Sequence, residues 1–475
     1  MMTYGLYLNG RFVTTPETVS VVNPANGEVI GKVSSVGREG VRRALADAQA
    51  AFGAWRELPA KNRGDYLLTV AGEIDRRKDE IARTITMENG KPLPQSTGEV
   101  AMTIDHLRWF AEEGKRAYGR IVPHQVPGKR NLVVKTPIGV VGAIAPWNFP
   151  LVLSVRKIAP AMAAGCPVVL KPASQTPLCA MQLAECMDVA KVPKGVFQVV
   201  LGPAAMIAEE MLNNPVCRKI TFTGSTEVGQ KLIAGAARQV KLLSLELGGH
   251  APVLVFDDAD LNKAVEGTII AKYRNTGQSC IAANRVLVQA GIYDRFVEAF
   301  IAKAKALKVG EGFAEGVEVG PLINEKALQQ AMAHIEDAVA KGAKILCGGK
   351  RREGHGYFLE PTVLADVPPN ACCMQEETFA PVAPLARFTT EAEGIEQANN
   401  SVYGLSAYAF TQNLDRAFRL MEKLEAGTIG INDGVPTSST APFGGVKQSG
   451  WGRELGVEGL DAFLETKHVS LGMQI

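Results

Sequence analysis

A cysteine at the end of a glycine-containing turn is the first candidate for chemistry. The stretch Asn275-Thr-Gly-Gln-Ser-Cys280 ends a helical pattern and then presents the thiol of Cys280. A nucleophilic cysteine needs exposure and either a lowered pKa or a nearby base. Most cysteines are instead buried and inert. The local sequence therefore permits a covalent role for Cys280 without choosing between these two possibilities.

Two further polar residues could assist such a thiol. Glu246 closes a strand-like run just ahead of Gly248 and Gly249, at a carboxyl edge where a general base would be useful. The alternative is an ordinary salt-bridged carboxylate. Asn148 lies in the apolar loop 146–150, where a buried amide needs partners and could donate to an oxyanion.

Two turns between strand-like and helix-like runs could bind a nucleotide. In Phe222–Gly229, Gly224 allows a tight turn, and Ser225 can cap a helix whose free N–H groups attract phosphate. Lys171, at the end of another strand-like run, could reach a ribose or a phosphate. Neither stretch is a P-loop or a GxGxxG motif. Taken singly, the first is equally a simple turn and the second a solvated surface lysine.

The composition excludes several other classes of protein. The 475 residues include eight scattered cysteines, too few for a disulfide scaffold. The six histidines show no paired metal spacing and Cys372-Cys373 has no CxxC partner, so we expect no metal site. The balance of 51 basic against 49 acidic side chains argues against whole-protein attraction to nucleic acid or to an anionic membrane.

An uncharged stretch over 136–155 is long enough to cross a bilayer, but its three prolines would break a simple helix. We expect instead a buried strand over 139–145 followed by a loop, and no membrane span. The N-terminal residues lack the pattern of a signal peptide. Together with free thiols, this predicts a cytoplasmic protein.

Strand-like and helix-like patterns alternate along the chain, which predicts βαβ units and a parallel sheet with ligands beyond the carboxyl ends of its strands. The first set of strand-like runs is 168–171, 197–201, 219–223 and 240–246, with helix-like runs at 178–191, 204–213 and 226–237. A second set, indicating a second α/β domain, is 252–256, 261–274, 285–289 and 293–307. Amphipathic helices are predicted at 40–55 and 66–87.

The order of these features resembles the aldehyde dehydrogenase superfamily. The resemblance extends from Asn23-Pro-Ala-Asn-Gly-Glu28 to Pro442-Phe-Gly-Gly-Val-Lys-Gln-Ser-Gly450 and includes Glu377-Thr-Phe379. It implies an α/β fold with a variant Rossmann cofactor domain, an α/β catalytic domain and a β-arm for oligomerisation. The implied boundaries are 1–118 and 137–248 for the dinucleotide-binding domain, 249–448 for the catalytic domain, and 119–136 and 449–475 for the arm.

The resemblance also implies a role for each candidate. Cys280 would attack the aldehyde, the Asn148 amide would hold the oxyanion, and Glu246 would activate the water that hydrolyses the thioester. The implied cofactor contacts are Trp147, Lys171, Ser174, Gly224, Ser225, Leu247, Glu377 and Phe379. Members that prefer NAD commonly carry a glutamate where this chain has Ser174. We therefore predict that NADP is used, with some activity on NAD.

Within the superfamily the chain looks most like succinate-semialdehyde dehydrogenases, on the stretches 156–160, 272–278 and 441–450. Those enzymes bind the far carboxylate of the substrate with two arginines and a hydroxyl. The matching positions are Arg156, Arg274 and either Thr437 or Ser438. The alternative is that one arginine pairs with a protein carboxylate.

Two departures from that subfamily stand out. Ala282 replaces a second cysteine found in several members, so a redox disulfide with Cys280 is not available. The loop 433–440 contains Pro436 and differs from the subfamily pattern. Glutarate semialdehyde, another ω-carboxy aldehyde or a broad range of aldehydes therefore remains an alternative substrate.

Two other functions remain open, a CoA-acylating dehydrogenase, which usually lacks the general base, and a non-catalytic dinucleotide-binding or structural protein on the same fold. For assembly, the resemblance implies a homodimer or homotetramer, in which 119–136 and 464–475 pair across subunits.

Overall fold

Strands and helices alternate along most of the chain in the computed structural model, which describes residues 1–473. The strands are β1 (Met2–Tyr4), β2 (Leu6–Leu8), β3 (Arg11–Val13), β4 (Thr18–Val22), β5 (Val29–Ser34), β6 (Arg120–Val122), β7 (Lys129–Pro137), β8 (Val140–Ile144), β9 (Val168–Lys171), β10 (Phe197–Val199), β11 (Cys217–Thr223), β12 (Leu242–Glu246), β13 (Ala251–Val255), β14 (Ala283–Gln289), β15 (Lys344–Cys347), β16 (Thr362–Ala365), β17 (Val382–Phe388), β18 (Tyr403–Gly404), β19 (Ser406–Phe410), β20 (Thr428–Ile431), β21 (Val446–Lys447), β22 (Gly450–Trp451) and β23 (Leu464–Gly472). The α-helices are α1 (Arg38–Glu57), α2 (Ala60–Arg76), α3 (Lys78–Asn89), α4 (Leu93–Glu113), α5 (Val152–Ala164), α6 (Leu178–Val189), α7 (Ala204–Asn213), α8 (Thr226–Ala236), α9 (Leu261–Tyr273), α10 (Tyr293–Ala306), α11 (Glu325–Ala340), α12 (Cys372–Gln375), α13 (Glu391–Asn399), α14 (Leu414–Lys423) and α15 (Gly456–Asp461).

The first large sheet has the strand order β10-β9-β8-β11-β12-β22, and all its pairs are parallel except β12 with β22. Every residue of β8, β9 and β10 is buried, as expected for parallel strands covered by helices on both faces. The strand order reverses between β8 and β11. A crevice at such a reversal, beyond the carboxyl ends of the strands, is where open α/β sheets bind ligands.

The second large sheet has the order β15-β16-β17-β14-β13-β19-β20, and only β15 runs antiparallel to its neighbour. Its strands feed two apolar clusters on opposite faces, because successive side chains alternate across a sheet. In β13, for example, Leu254 joins one cluster, while Val253 and Val255 join the other.

Loops from both large sheets line a common crevice. The loops that follow β8, β11 and β12 leave the carboxyl edge of the first sheet, and the segments that precede β13, β14 and β17 enter the amino edge of the second. Because parallel strands place like ends at one edge, residues far apart in sequence converge there. This convergence positions every catalytic candidate named above.

Most sequence-predicted elements are confirmed within two or three residues, but the helix predicted over 66–87 is wrong. The chain forms α2 and α3 there, with a break at Arg77 (φ −106°, ψ 13°). The break lets the Arg77 guanidinium pair with Glu80 and Glu185, both at 2.7 Å. Apolar periodicity alone does not reveal this interruption, and one of the two partners of Arg77, Glu185, lies 108 residues away in sequence.

A separate three-stranded antiparallel sheet has the strand order β23-β7-β6. β23 pairs with β7 of the same chain from Leu464 opposite Pro137 to Gly472 opposite Lys129. This intrachain pairing uses much of the segment that was predicted to pair across subunits. The last two residues of the predicted arm, 474 and 475, lie outside the described residues. No helix within residues 1–473 is long and apolar enough to cross a membrane.

Candidate active site

Asn148 lies in the loop after β8 and is 4% exposed. Its Nδ2 donates to the backbone oxygen of Gln278 at 3.2 Å, two residues before Cys280. Neither the second hydrogen of this amide nor its Oδ1 has a partner in the part of the chain that the structure describes. One hydrogen therefore tethers the side chain to the cysteine turn, and the other can donate to an oxyanion there.

Cys280 lies in the turn between α9 and β14, held by strained backbone and close packing. Asn275 and Thr276 have left-handed φ values of +52° and +59°. The Asn275 Nδ2 donates to the backbone oxygens of Asn148 at 2.8 Å and Gln278 at 3.0 Å. A Cβ at position 249 would lie 2.2 Å from the Cys280 oxygen, so only glycine fits there. The turn is thus fixed against both sheets.

The Cys280 thiol is half-buried, and its surroundings favour the protonated form. Burial raises its pKa to about 12, with the nearby carboxylates of Glu377 and Glu246 adding to the effect and Arg156 opposing it. The sequence-based requirement of a lowered pKa is therefore not met in the chain alone. The remaining route to a nucleophile is a nearby base.

Glu246 ends β12 opposite Thr223 of β11 and is 3% exposed. Burial and the neighbouring Glu454 raise its pKa well above the usual range. Its Oε2 has no hydrogen-bond partner among residues 1–473. It is therefore not the salt-bridged carboxylate of the alternative interpretation, and it can take up a proton from a thiol or a water molecule.

A buried ion pair beside Glu246 was not predicted from the sequence. Lys157 Nζ donates to Glu454 Oε1 and to Thr223 Oγ1, each at 2.5 Å. The ammonium partly offsets the negative charge next to Glu246. The available signal was the adjacent charged pair Arg156-Lys157 inside the mostly apolar helix α5, all of whose residues are buried.

A cavity of about 220 Å³ opens in front of the thiol. Trp147 and Phe379 form one wall, with ring centroids 5.5 Å apart in an edge-to-face arrangement. Glu377 is half-buried beside it and accepts a hydrogen bond from Gly249 N at 3.1 Å, and burial raises its pKa to about 7. The cavity is lined by Pro146, Trp147, Asn148, Thr223, Gly224, Ser225, Leu247, Gly248, Cys280, Glu377 and Phe379.

A second, larger groove of about 840 Å³ continues from this cavity and shares part of its lining. Gly224 lies at the junction, and Ser225 caps α8 by accepting a hydrogen bond from Val228 N at 3.4 Å. Lys171 lines the groove and has no salt-bridge partner within the described range, and burial lowers its pKa to about 8. Ser174 lies three residues further on, half-buried in the turn after β9, and does not line the groove.

The joined cavities match an extended ligand with anionic groups. Helix α8 directs its first N–H groups toward the junction, where a pyrophosphate would be stabilised. Lys171 supplies an unpaired cation farther along, and Glu377 supplies a carboxylate for a hydroxyl donor near the thiol. This donor set fits a dinucleotide whose reactive ring lies against Cys280.

Two arginines lie close to the thiol and make no salt bridge in the described part of the chain. Arg156 in α5 is 6% exposed, and Arg274 follows α9 and is half-buried. Neither makes a salt bridge within residues 1–473, which removes the alternative of pairing with a protein carboxylate. Burial lowers the pKa of both guanidinium groups, and Cys280 is among the neighbouring groups that act on each.

Aromatic rings form the other walls around these cations. The Arg156 guanidinium lies 4.9 Å from the centroid of the Phe443 ring, and that of Arg274 lies 5.5 Å from the centroid of the Phe149 ring. Of the two predicted hydroxyls, Thr437 Oγ1 is buried with no partner in the described part of the chain. Ser438 is exposed, and its hydroxyl contacts Thr440 Oγ1 at 2.9 Å. Thr437 is therefore the better placed to receive a ligand.

Comparison with known proteins gives consistent matches over the whole chain. Residues 12–469 match the Aldehyde dehydrogenase family. The chain is 48% identical to succinate-semialdehyde dehydrogenase [NADP(+)] GabD of Escherichia coli strain K12, with 98% of this chain and 97% of that protein covered. It is 49% identical to a glutarate-semialdehyde dehydrogenase of Pseudomonas aeruginosa, with the same coverage.

The fold agrees with that of a solved structure. The crystal structure of an E. coli NADP-dependent enzyme superposes with a TM-score of 0.98 at 48% identity, covering 99% of this chain and 98% of that one. The fold expected from the sequence is thereby confirmed. The chain belongs to the aldehyde dehydrogenase family.

Proposed function

We propose that this chain oxidises succinate semialdehyde to succinate with NADP⁺ as the preferred acceptor. The observation that carries the proposal is the pair of guanidinium groups, Arg156 and Arg274, held near Cys280 with no salt bridge to a protein carboxylate among residues 1–473. Burying two cations costs free energy unless a counter-ion compensates them. A substrate that carries a carboxylate at the end opposite its aldehyde would supply that charge and would direct the aldehyde toward the thiol.

The residues around the thiol divide the reaction into two stages. The Cys280 thiol gives its proton to Glu246, for which water can substitute at a lower rate, and the sulfur forms a bond to the aldehyde carbon. The carbonyl oxygen becomes an oxyanion, to which the free hydrogen of the Asn148 amide donates. When a hydride leaves that carbon, the carbonyl re-forms as a thioester on Cys280.

Hydrolysis then regenerates the enzyme. Glu246, having released the first proton to solvent, removes a proton from water. The resulting hydroxide adds to the thioester carbon, the carbon–sulfur bond breaks, and succinate leaves as Cys280 regains a proton. The buried carboxylate at position 246 is what favours release to water over transfer to CoA.

A nicotinamide dinucleotide supplies the hydride acceptor when bound. Trp147, Leu247, Glu377 and Phe379 would enclose its nicotinamide half beside Cys280, and Gly224 and Ser225 would hold the pyrophosphate at the start of α8. Lys171 would bind the adenosine ribose and its 2′-phosphate. Burial lowers the pKa of the Lys171 ammonium, and a nearby phosphate would raise it again. The charged ammonium and the phosphate would therefore stabilise each other.

Replacing Arg274 with alanine is expected to raise KM for succinate semialdehyde by about 10- to 150-fold, since a hydrogen bond to a charged group contributes about 1.5–3 kcal/mol. KM for an uncharged aldehyde of similar length should change much less. Steady-state kinetics with both substrates test this. Another buried arginine, Arg285, is not a suitable control position, because the Arg285 guanidinium donates to backbone carbonyls and its loss would disturb the fold. An equal rise in both KM values would contradict the proposed carboxylate anchor.

Replacing Ser174 with glutamate is expected to lower the NADP⁺/NAD⁺ ratio of kcat/KM by about 10-fold, which corresponds to about 1.4 kcal/mol of repulsion from a 2′-phosphate. Ser174→Gln is the matched control, with the same size and no charge, and should retain most of the wild-type ratio. An unchanged ratio in Ser174→Glu would contradict the proposed place of the phosphate.

Glutarate semialdehyde is the second candidate substrate. The observation in its favour is the loop 433–440, where Thr437 presents an unpartnered hydroxyl and Pro436 departs from the expected pattern. A relative of similar identity is named a glutarate-semialdehyde dehydrogenase. Comparing kcat/KM for the four- and five-carbon semialdehydes distinguishes the two substrates.

We also propose that the chain works as a homodimer or homotetramer. The support is the small sheet β23-β7-β6, whose edge strand β6 exposes 73% of Ile121 and adjoins Tyr118, also 73% exposed. Apolar side chains this exposed are typical of interaction sites when they cluster. The cytoplasmic location expected from the sequence stays a prediction.

A further inference from the structure

A buried lysine lies behind the loop that carries Asn148. Lys91, between α3 and α4, is 1% exposed, and its Nζ donates to the backbone oxygen of Asn148 at 2.7 Å. Next to it, the Asn89 Nδ2 donates to the backbone oxygen of Trp147 at 3.0 Å. These two hydrogen bonds hold the peptide units on either side of residue 148, and both come from side chains more than 50 residues away in sequence. The Asn148 oxygen that Lys91 contacts also accepts the hydrogen bond from Asn275 in the cysteine turn.

The ammonium of Lys91 is balanced by Glu99 of α4. Its Nζ donates to Glu99 Oε2 at 2.7 Å, and both side chains are fully buried. The other oxygen of Glu99 accepts hydrogen bonds from Leu151 N at 2.9 Å and Val152 N at 3.2 Å, where α5 begins. One carboxylate therefore holds both the lysine and the start of the helix that follows the loop.

An aromatic ring completes the environment of the ammonium. Lys91 Nζ lies 3.9 Å from the centroid of the Phe149 ring, and the Arg274 guanidinium contacts the same ring. The three partners of Nζ are thus a carboxylate, a backbone carbonyl and a π face, one for each of its hydrogens. Such a fully satisfied buried charge can fix a loop more rigidly than the loop's own backbone does.

The lysine and the proposed oxyanion donor meet at a single residue, Asn148. Asn148 receives Lys91 on its backbone oxygen, and its side chain is tethered to Gln278 in the cysteine turn. If the backbone at 148 rotates, the free amide hydrogen moves away from the position of the oxyanion. An oxyanion donor loses much of its effect when it is misplaced by about 1 Å.

We propose that Lys91, with Glu99 as its counter-ion, is a positioning residue that sets the direction of the Asn148 amide for the reaction. This inference rests on the proposed function, in which Asn148 donates to the oxyanion. Lys91 does not line the cavity in front of the thiol, so we expect it to act on the rate mainly through Asn148.

A double-mutant cycle tests this dependence. Lys91→Met is expected to lower kcat by about 10- to 100-fold with little change in KM or in NADP⁺ affinity, because removing an oxyanion donor outright costs about 10²- to 10³-fold. In an Asn148→Ala background, Lys91→Met should change kcat by less than about twofold, since the group it positions is gone. Because Lys91→Met leaves the Glu99 charge buried, Lys91→Met/Glu99→Gln is measured in both backgrounds as the variant that folds without an unpaired charge.

The matched control is Lys219→Met. Lys219 lies in β11 and is also a buried lysine, 4% exposed. Its ammonium faces the Phe463 ring, away from the crevice. The kcat of the Lys219→Met variant should stay within about twofold of the wild-type value. The proposal is overturned if loss of Lys91 costs the same with and without Asn148, or if Lys91→Met behaves as Lys219→Met does. If Asn148→Ala itself keeps the wild-type kcat, the oxyanion role in the proposed function fails as well, which separates the two results.

Discussion

Replacing Cys280 with serine is expected to lower kcat for aldehyde oxidation by at least about 10⁴-fold while leaving NADP⁺ affinity unchanged. A serine hydroxyl at this site is a far weaker nucleophile, and the carboxylates that already raise the pKa of the thiol disfavour an alkoxide still more. NADPH formation measures the turnover. Quenching of tryptophan fluorescence, with Trp147 in the cavity wall, measures cofactor binding.

Cys347→Ser is the matched control for that result. Cys347 is also a half-buried free thiol, but it lies in β15 at the far edge of the second sheet. Its substitution should leave kcat within about twofold. Substantial turnover by Cys280→Ser would contradict covalent catalysis at this position, and a parallel loss in Cys347→Ser would point to general damage to the fold.

Replacing Glu246 with glutamine is expected to separate the two stages of the reaction. If hydrolysis needs the base more than hydride transfer does, one NADPH per active site should form in a burst. Steady-state turnover should then fall by about 10²- to 10⁴-fold. Stopped-flow absorbance measures both phases, and hydroxylamine, which attacks thioesters directly, should restore part of the turnover. A variant without a burst would contradict this account, because Glu246 would then be indispensable for forming the thioester as well as for hydrolysing it.

The raised pKa of Glu246 also sets the pH dependence of the wild-type enzyme. Burial and Glu454 favour the protonated carboxylic acid, and only the carboxylate can take a proton from water. The steady-state rate should therefore rise with pH through this raised pKa, and fall as the pH drops below it. The Glu246→Gln variant should lack this limb when it is supplied with hydroxylamine.

The fold was largely predictable because short local sequence patterns reveal its central strands. The run Val168–Lys171 is apolar and β-branched, is followed by a helical pattern, and forms β9 as predicted. The helix predicted over 66–87 is wrong, and no helix is predicted from the sequence where α4 lies; three helices follow one another between 60 and 113. There Arg77 interrupts one amphipathic pattern, and α4 begins at Leu93-Pro and carries buried polar residues such as Glu99, which a periodicity argument does not count as core.

The catalytic candidates could be named from the sequence, but the hydrogen bonds and ion pairs that hold them could not. Cys280, Glu246 and Asn148 follow from motifs and from a family resemblance, and the structure brings them close together between the two large sheets. The contacts that hold them are long-range. Lys157 pairs with Glu454 across 297 residues, and Lys91 reaches Asn148 across 57. No local pattern encodes such a partner, because its position depends on the completed fold.

The most direct test is the mass of the stalled enzyme. Glu246→Gln is mixed with succinate semialdehyde and NADP⁺, quenched in acid during the burst, and analysed by intact and peptide mass spectrometry. We predict a gain of one succinyl group on the peptide that contains Cys280, and a much smaller yield with an equal concentration of butanal, which lacks the carboxylate. An unmodified Cys280, or an acyl group on another residue, would contradict the account.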